Sequence, residues 1–194
     1  MTRKIILFIA TSLDGFIADT QGNIDWLHEN TIDSEKDTAY DDFYTSVDTV
    51  IMGRTTYDQV TTSLSPDYYP YADSQSYIMT TQGNKTIENI TFTNENLVEL
   101  VTTLKEQDGK NVFIVGGASI VKPLMESNLI DEYQLAIIPT VLGSGIPLFT
   151  TKRQLKLKAT SAKVVNNIVY HTISSLLLHL SLSRRVFNSS VLYS

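Results

Sequence analysis

Three short segments of this sequence place glycine or small hydroxyl residues directly after an apolar stretch. They are Gly53-Arg54-Thr55-Thr56, Thr80-Thr81 and Gly116-Gly117-Ala118-Ser119. The first and third pass at once into predicted helices, so each is a strand, a turn and a helix start. Glycine lets a ligand lie against the backbone, and a helix start offers unpaired N–H groups to an anion. If the three strand ends meet at one edge of a sheet, the pattern predicts a phosphate-rich ligand.

The glycine pair taken alone leaves two interpretations open. A tight turn without a ligand explains Gly116-Gly117 as well as a binding loop does. The repeat of the unit at Gly53 favours binding, because Arg54 adds a guanidinium that can hold a phosphate with two hydrogen bonds.

Composition narrows the class of partner. The chain has 194 residues, 42% of them hydrophobic, with a formal net charge of -6, so it can bury a core but has no overall attraction for nucleic acid. It contains no cysteine, which excludes disulfides and thiolate chemistry. The three histidines, His28, His171 and His179, show no metal-ligand spacing, so we predict no metal site. No apolar run is long enough to span a bilayer, and we expect a cytoplasmic protein that binds small molecules or protein.

Strands and helices alternate up to about residue 130, and strands dominate afterwards. This order predicts an α/β fold with a central, mostly parallel sheet, helices on both faces and an antiparallel C-terminal hairpin. Asn94 or Asn96 is the predicted cap of a helix and Gly109 its predicted end, and Pro123 is an awkward residue inside the next helix. The predicted strands cover residues 4–10, 48–52, 77–80, 91–93, 112–115 and 132–138, with a closing hairpin at 154–164 and 168–173. A further helix is expected at 34–46, capped by Asp33 or Ser34, and a surface loop at 63–71.

The chain divides at about residue 173. Residues 1–173 form the predicted domain, and residues 174–194 are rich in leucine and serine and lack Asp, Glu and Gly. This tail could dock on its own core, pair with another subunit, or have drifted without function.

Several motifs together resemble a known superfamily. Residues 51–57, Ile-Met-Gly-Arg-Thr-Thr-Tyr, are similar to the second-strand motif of dihydrofolate reductases, and residues 113–119 resemble their Gly-Gly segment. The first loop, Ser12-Leu13-Asp14-Gly15, and the segment from Pro139 to Phe149 resemble the branch that includes the reductase domain of bacterial riboflavin biosynthesis. The resemblance covers about residues 3–173 and implies a dihydrofolate-reductase-like three-layer fold, NADPH as cofactor and a homodimer.

Cofactor roles carry over by motif. The resemblance implies that Arg54 faces the 2′-phosphate and that Thr55 and Thr56 hold the pyrophosphate, with Gly53 beside them as a further cofactor-binding residue. Thr80 and Thr81 would lie beside the adenosine ribose, with residues 116–119 against the pyrophosphate and nicotinamide. A cis peptide between Gly116 and Gly117 is also implied.

The substrate side is less defined. By resemblance, Asp14 is the candidate catalytic residue, although an Asp-Gly turn explains it equally well. Ser12, Asp25 and Trp26 are candidate substrate-binding residues, and Trp26 also suits a core position. Dihydrofolate reductases carry a carboxylate after a Pro-Trp pair, whereas Asp25-Trp26 is followed by no acid in register, which argues against dihydrofolate.

The sequence therefore predicts an NADPH-dependent oxidoreductase. It would transfer a hydride to a C=N or C=O group of a bound heterocycle or sugar, with a small pteridine- or pyrimidine-type heterocycle as the leading class and ordered water or Asp14 as proton donor. Dihydrofolate reductase activity proper and a non-catalytic NADPH-binding protein are the alternatives.

Overall fold

The computed structural model describes residues 3–27, 37–151 and 153–176. In chain order its strands are β1 (Ile5–Ser12), β2 (Phe16–Ala18), β3 (Val47–Gly53), β4 (Gln75–Met79), β5 (Lys85–Ile87), β6 (Ile90–Thr93), β7 (Asn111–Gly116), β8 (Glu132–Ile138), β9 (Ile146–Pro147), β10 (Leu157–Val165) and β11 (Ile168–Ser175). The helices are α1 (Ala39–Tyr44), α2 (Arg54–Gln59), α3 (Leu97–Glu106) and α4 (Ala118–Glu126), with a 3-10 turn at Asp25–Leu27 and a π-helical turn at Val60–Leu64.

Nine of the strands in the described residues form one sheet, in the order β10-β11-β8-β1-β7-β3-β4-β6-β5. Its six central strands, β8 to β6 in that order, run parallel. Antiparallel pairs complete both edges, β10 with β11 at one and β5 with β6 at the other. The α/β fold, the mostly parallel sheet and the C-terminal hairpin are thus confirmed. Strands β2 and β9 form a separate antiparallel pair that the sequence did not predict.

Apolar residues on both faces of the central strands explain why the sheet is covered on both sides. Along β7, Val112 and Ile114 belong to a core cluster with α3 and α4, while Phe113 belongs to an aromatic cluster with Phe43 of α1. Alternate residues of a strand point to opposite faces, so the sheet separates two cores. The helices accordingly pack on both faces, as predicted. No helix among the described residues is long and apolar enough to cross a bilayer.

Two predictions about the helices α3 and α4 can be compared with the structure. The Asn96 side chain accepts hydrogen bonds from the backbone N–H groups of Val98 at 2.9 Å and Glu99 at 3.3 Å, which confirms it as the cap of α3. Pro123 lies inside α4 as its sixth residue and not in its first turn.

Several predicted boundaries were wrong. The C-terminal hairpin turns at Asn166 and Asn167, both with positive φ, so Val165 belongs to β10, and β11 runs on to Ser175. The predicted surface loop at 63–71 begins inside the π-helical turn, and its last residue, Tyr71, is only 7% exposed. The described part of the helix predicted at 34–46 starts at Ala39, and its proposed caps, Asp33 and Ser34, lie outside the described residues.

Candidate functional site

A cavity of about 960 Å³ lies where β3, β4 and β7 end. These strands are neighbours in the sheet, and the register pairs Gly53 with Met79 and Met52 with Gly116. The three segments singled out in the sequence therefore meet at one edge. Nine of the ten predicted cofactor residues line the cavity, namely Gly53, Arg54, Thr55, Thr56, Thr80, Thr81, Gly117, Ala118 and Ser119.

The turn after β7 brings backbone close to the helix after β3. The Gly116–Gly117 peptide is cis, as the resemblance implied, and Gly116 has φ of +125°. A Cβ on Gly117 would stand 3.6 Å from Thr56 Oγ1. The N-cap residues of helices α2 and α4 are Gly53 and Gly117, and glycine has no side chain that could cap the helix. In α4 the N–H of Ile120 donates to the Gly117 carbonyl oxygen at 2.9 Å, and the N–H groups of Ala118 and Ser119 have no partner within the helix.

Arg54 is held at the cavity wall by three groups. Its Nε donates to Asp58 Oδ1 at 2.7 Å, and its Nη1 donates to Gln82 Oε1 at 3.1 Å. Its Cζ lies 5.5 Å from the centroid of the Phe92 ring, a cation–π distance. A basic group in fixed orientation thus faces the end of the cavity that Thr80 and Thr81 also line.

Most of the remaining wall is apolar and was not predicted as a site, although Gln82, Asn94 and Glu95 also line the cavity. It includes Ile9, Ile17, Ile24, Leu27, Val60, Leu64, Val115 and Ile146. Aliphatic residues at these spacings are indistinguishable from core residues in a sequence, so no signal separated them. These aliphatic residues line the same cavity as the polar strand ends, and we call them its apolar compartment.

Two polar side chains stand within this apolar compartment. Gln59 donates through Nε2 to the Gly22 carbonyl oxygen at 3.3 Å, which ties α2 to the loop after β2. Tyr71 also lines the cavity, and burial, followed by the neighbouring Tyr40, raises the pKa of its hydroxyl far above the ordinary value. The Tyr71 hydroxyl is therefore protonated at neutral pH.

Asp14 lies outside the lining of the cavity and joins two loops. Its carboxylate accepts hydrogen bonds from Ser12 Oγ at 2.7 Å, Gly143 N at 2.8 Å and Leu142 N at 3.2 Å. The Ser12 hydroxyl is the largest cause of the lowered pKa of Asp14; desolvation comes next and opposes it, and the backbone N–H groups of Gly143 and Leu142 lower the pKa further. Ser12 itself is 1% exposed and also accepts from Phe16 N. These contacts favour a structural role for both residues, and their proposed catalytic and substrate roles stay predictions.

The other two candidates for the substrate side also stand apart from the cavity lining. Asp25 is exposed and Trp26 is buried, with 6% of its surface accessible. The Trp26 indole Nε1 finds no hydrogen-bond partner among the described residues. Their neighbours Ile24 and Leu27 do line the cavity, so this turn contributes to the site through its aliphatic residues.

The residues present fit an elongated anionic nucleotide. The cavity is at the upper end of the roughly 300–1,000 Å³ typical of ligand pockets. It offers an arginine, four threonine hydroxyls, the Ser119 hydroxyl and two uncapped helix starts at one end, and aliphatic walls at the other. Among the described residues, no group of three or more His, Asp or Glu side chains could hold a metal ion.

The sheet order, the terminal hairpin and the glycine-lined cavity define a dihydrofolate-reductase-like domain. Dihydrofolate reductase from Enterococcus faecalis superposes with a TM-score of 0.61 at 13% identity, over 91% of this chain and 99% of that one. At this identity the likeness concerns the fold.

The chain belongs to the RibD C-terminal domain family, whose profile matches residues 3–170. It is 46% identical over 164 residues to the uncharacterized protein YwjB of Bacillus subtilis (strain 168), covering 82% of this chain and 92% of the relative. A solved structure from Shewanella sp. PV-4, assigned by its name to riboflavin biosynthesis, superposes with a TM-score of 0.75 at 30% identity. That match covers 90% of this chain and 99% of the other.

Proposed function

We propose that this protein is an NADPH-dependent reductase that transfers a hydride to a small heterocycle of the pyrimidine or pteridine type. The observation that carries the proposal is the meeting of three polar strand ends on one cavity whose other compartment is apolar. Family membership supports it, and the Enterococcus dihydrofolate reductase, which shares the fold, was solved in complex with NADP(H).

The polar end would hold the cofactor. Arg54 would bind the 2′-phosphate, while Thr55, Thr56, Ala118 and Ser119 would offer hydroxyl and backbone N–H groups to the pyrophosphate. Thr80 and Thr81 would lie along the adenosine ribose. When bound, NADPH supplies the hydride, and the protein contributes position and environment.

The apolar end would hold the substrate. Walls such as Ile17, Leu27 and Ile146 exclude water from the reacting atoms, which strengthens each polar contact that remains. Gln59 can hydrogen-bond a ring nitrogen or carbonyl. Tyr71 also lines this wall, and its hydroxyl hydrogen-bonds to Tyr40.

The proposal is tested by cofactor selectivity and turnover. Arg54→Ala should weaken NADPH binding much more than NADH binding, whereas Arg153→Ala, at an exposed arginine that contacts the end of α4, should change neither. If Arg54→Ala lost the same affinity for NADPH and for NADH, Arg54 would not be the residue that binds the 2′-phosphate.

A substrate panel separates the remaining alternatives. NADPH oxidation should be followed with dihydrofolate and with pyrimidine and pteridine carbonyl compounds. Oxidation with dihydrofolate alone would indicate dihydrofolate reductase proper, and tight binding without oxidation would indicate a binding protein. The homodimer and the cytoplasmic location stay predictions.

A further inference from the structure

The Arg54 side chain is held by contacts from three different elements of the fold. Asp58 stands four residues later on α2, and Gln82 stands in the loop after β4, so two elements hold one side chain. Phe92 of β6 supports the guanidinium from a third direction. A long, half-exposed arginine ordinarily samples many rotamers, and these three contacts restrict it before any ligand arrives.

The pattern of engaged nitrogens leaves a defined part of the guanidinium for a ligand. Nε is engaged by Asp58 and Nη1 by Gln82. Nη2 takes part in neither hydrogen bond, and Nη1 carries a second N–H. The N–H groups of Nη2 and the remaining N–H of Nη1 are the donors left for two oxygens of a phosphate monoester, which a guanidinium can bind as a fork.

Asp58 could act in two opposite ways on a bound phosphate. Its negative charge repels the ligand through space, but its side chain is 48% exposed and solvent and salt screen that repulsion. Its hydrogen bond to Nε acts directly on the orientation of the fork, which screening does not remove. The two effects predict opposite changes in the affinity for a phosphate when the Asp58 carboxylate is replaced.

We propose that Asp58 and Gln82 are positioning residues that fix the Arg54 guanidinium for a 2′-phosphate and so set the selectivity of the site for the phosphorylated dinucleotide. This inference rests on the proposed function, because it assumes an NADPH-type ligand at this end of the cavity. It assigns a role in cofactor selectivity to α2 through Asp58 and to the loop after β4 through Gln82, in addition to any contacts of Thr80 and Thr81.

Calorimetric titration with 2′,5′-ADP and 5′-AMP tests the inference without turnover. These probes differ only in the 2′-phosphate. Asp58→Asn and Gln82→Ala should each weaken 2′,5′-ADP binding by roughly three- to tenfold and leave 5′-AMP binding unchanged. Asp58→Glu, which keeps a carboxylate four residues after Arg54, should recover most of the loss. Asp108→Asn removes the same charge at an exposed position beyond the end of α3 and should have no effect on either probe.

The outcomes separate this inference from the function on which it rests. Equal weakening of both probes, or tighter 2′,5′-ADP binding in Asp58→Asn, would overturn the positioning role while leaving the reductase proposal intact. Failure of the unmodified protein to bind 2′,5′-ADP or NADPH would overturn the proposed function, and this inference with it. If Asp58→Asn perturbs α2, Gln82→Ala still decides the question, because Gln82 lies outside any helix.

Discussion

The carboxylate of Asp14 accepts a hydrogen bond from the backbone N–H of Gly143 at 2.8 Å, across 129 positions of the chain. This contact joins the loop after β1 to the loop after β8. The second loop continues into β9, which pairs with β2 and places Ile146 on the cavity wall. Asp14 therefore supports the part of the cavity wall that carries Ile146, from a position outside the cavity lining.

Replacing Asp14 should reveal this link as a pH-dependent loss of stability. The folded-state pKa of Asp14 is lowered from 3.8, so its ionised form stabilises the fold above that pH. The contribution is lost as pH falls through the folded-state pKa. Asp14→Asn should therefore be less stable than the unmodified protein at neutral pH, and the difference should shrink below about pH 3.8. Urea unfolding at several pH values measures it.

A double-mutant cycle supplies the control for this prediction. The Ser12 hydroxyl is the largest cause of the lowered pKa, so Asp14→Asn should cost less in a Ser12→Ala background. A stability difference that is independent of pH would contradict the structural role. Loss of turnover with unaltered stability would instead support Asp14 as the catalytic residue.

Gly145→Ala should displace the loop that carries β9. A Cβ at Gly145 would lie 2.2 Å from the Ala18 carbonyl oxygen and 3.3 Å from Phe16 Cβ, so β2 and β9 would have to separate. We expect a loss of roughly 1–3 kcal/mol in the free energy of unfolding, as for other overpacked sites. Denaturant unfolding measures this, and Ser144→Ala, at the exposed neighbouring position, is the matched control. Equal stability of the two variants would contradict the close contact.

Much of this architecture follows from the sequence because its signals are local. Apolar strands ending in glycine predicted the parallel sheet and the meeting of Gly53 with Gly116-Gly117 at one edge. The Asn96 cap was likewise readable, since its hydrogen bonds span only two and three residues.

The parts that could not be predicted depend on contacts between distant segments. Strand β9 has two residues and its partner β2 three, too short for alternation to show, and they are joined only in the folded chain. Tyr71 lies in a segment with Pro66 and Pro70, which indicates a surface loop, yet its ring packs against Phe113 of β7. Whether an aliphatic residue lines a cavity or fills a core is decided by such packing and not by its spacing.

Arg3 illustrates a stabilising residue with no part in the site. Its side chain donates to the Lys110 carbonyl oxygen and to Thr49 Oγ1, both at 2.6 Å, and forms an ion pair with Asp48. Arg3→Met keeps the apolar stem but removes these hydrogen bonds and the ion pair, so we expect a loss of about 2–4 kcal/mol in the free energy of unfolding.

Lys4→Met is the matched control for Arg3. Lys4 forms an ion pair with Glu132 at 3.1 Å, but its side chain is 48% exposed. Its replacement should change stability by no more than about 0.5 kcal/mol. Denaturant unfolding of both variants gives the comparison. If Lys4→Met lost as much free energy of unfolding as Arg3→Met, burial would not explain why Arg3 contributes more to stability than Lys4.

Truncation tests where the domain ends. Ser175 N donates to the Asp131 carbonyl oxygen at 3.0 Å, and Asp131, itself 4% exposed, accepts from Ile5 N and Lys105 Nζ. The end of β11 is thus tied to β1 and α3. A chain ending at residue 173 should lose about 1 kcal/mol of stability or more relative to one ending at residue 176, because it lacks this hydrogen bond.

The chain ending at residue 176 should fold and keep the NADPH affinity of the full-length protein, because β11 and the cavity wall are complete within it. Residues 177–194 lie outside the described residues. Thermal unfolding, sedimentation velocity and NADPH titration of the two truncated chains and the full chain measure the three properties. An insoluble or unfolded chain ending at residue 176 would show that the tail completes the core or a subunit contact. A fall in sedimentation coefficient with unchanged NADPH affinity would assign the tail to subunit association alone.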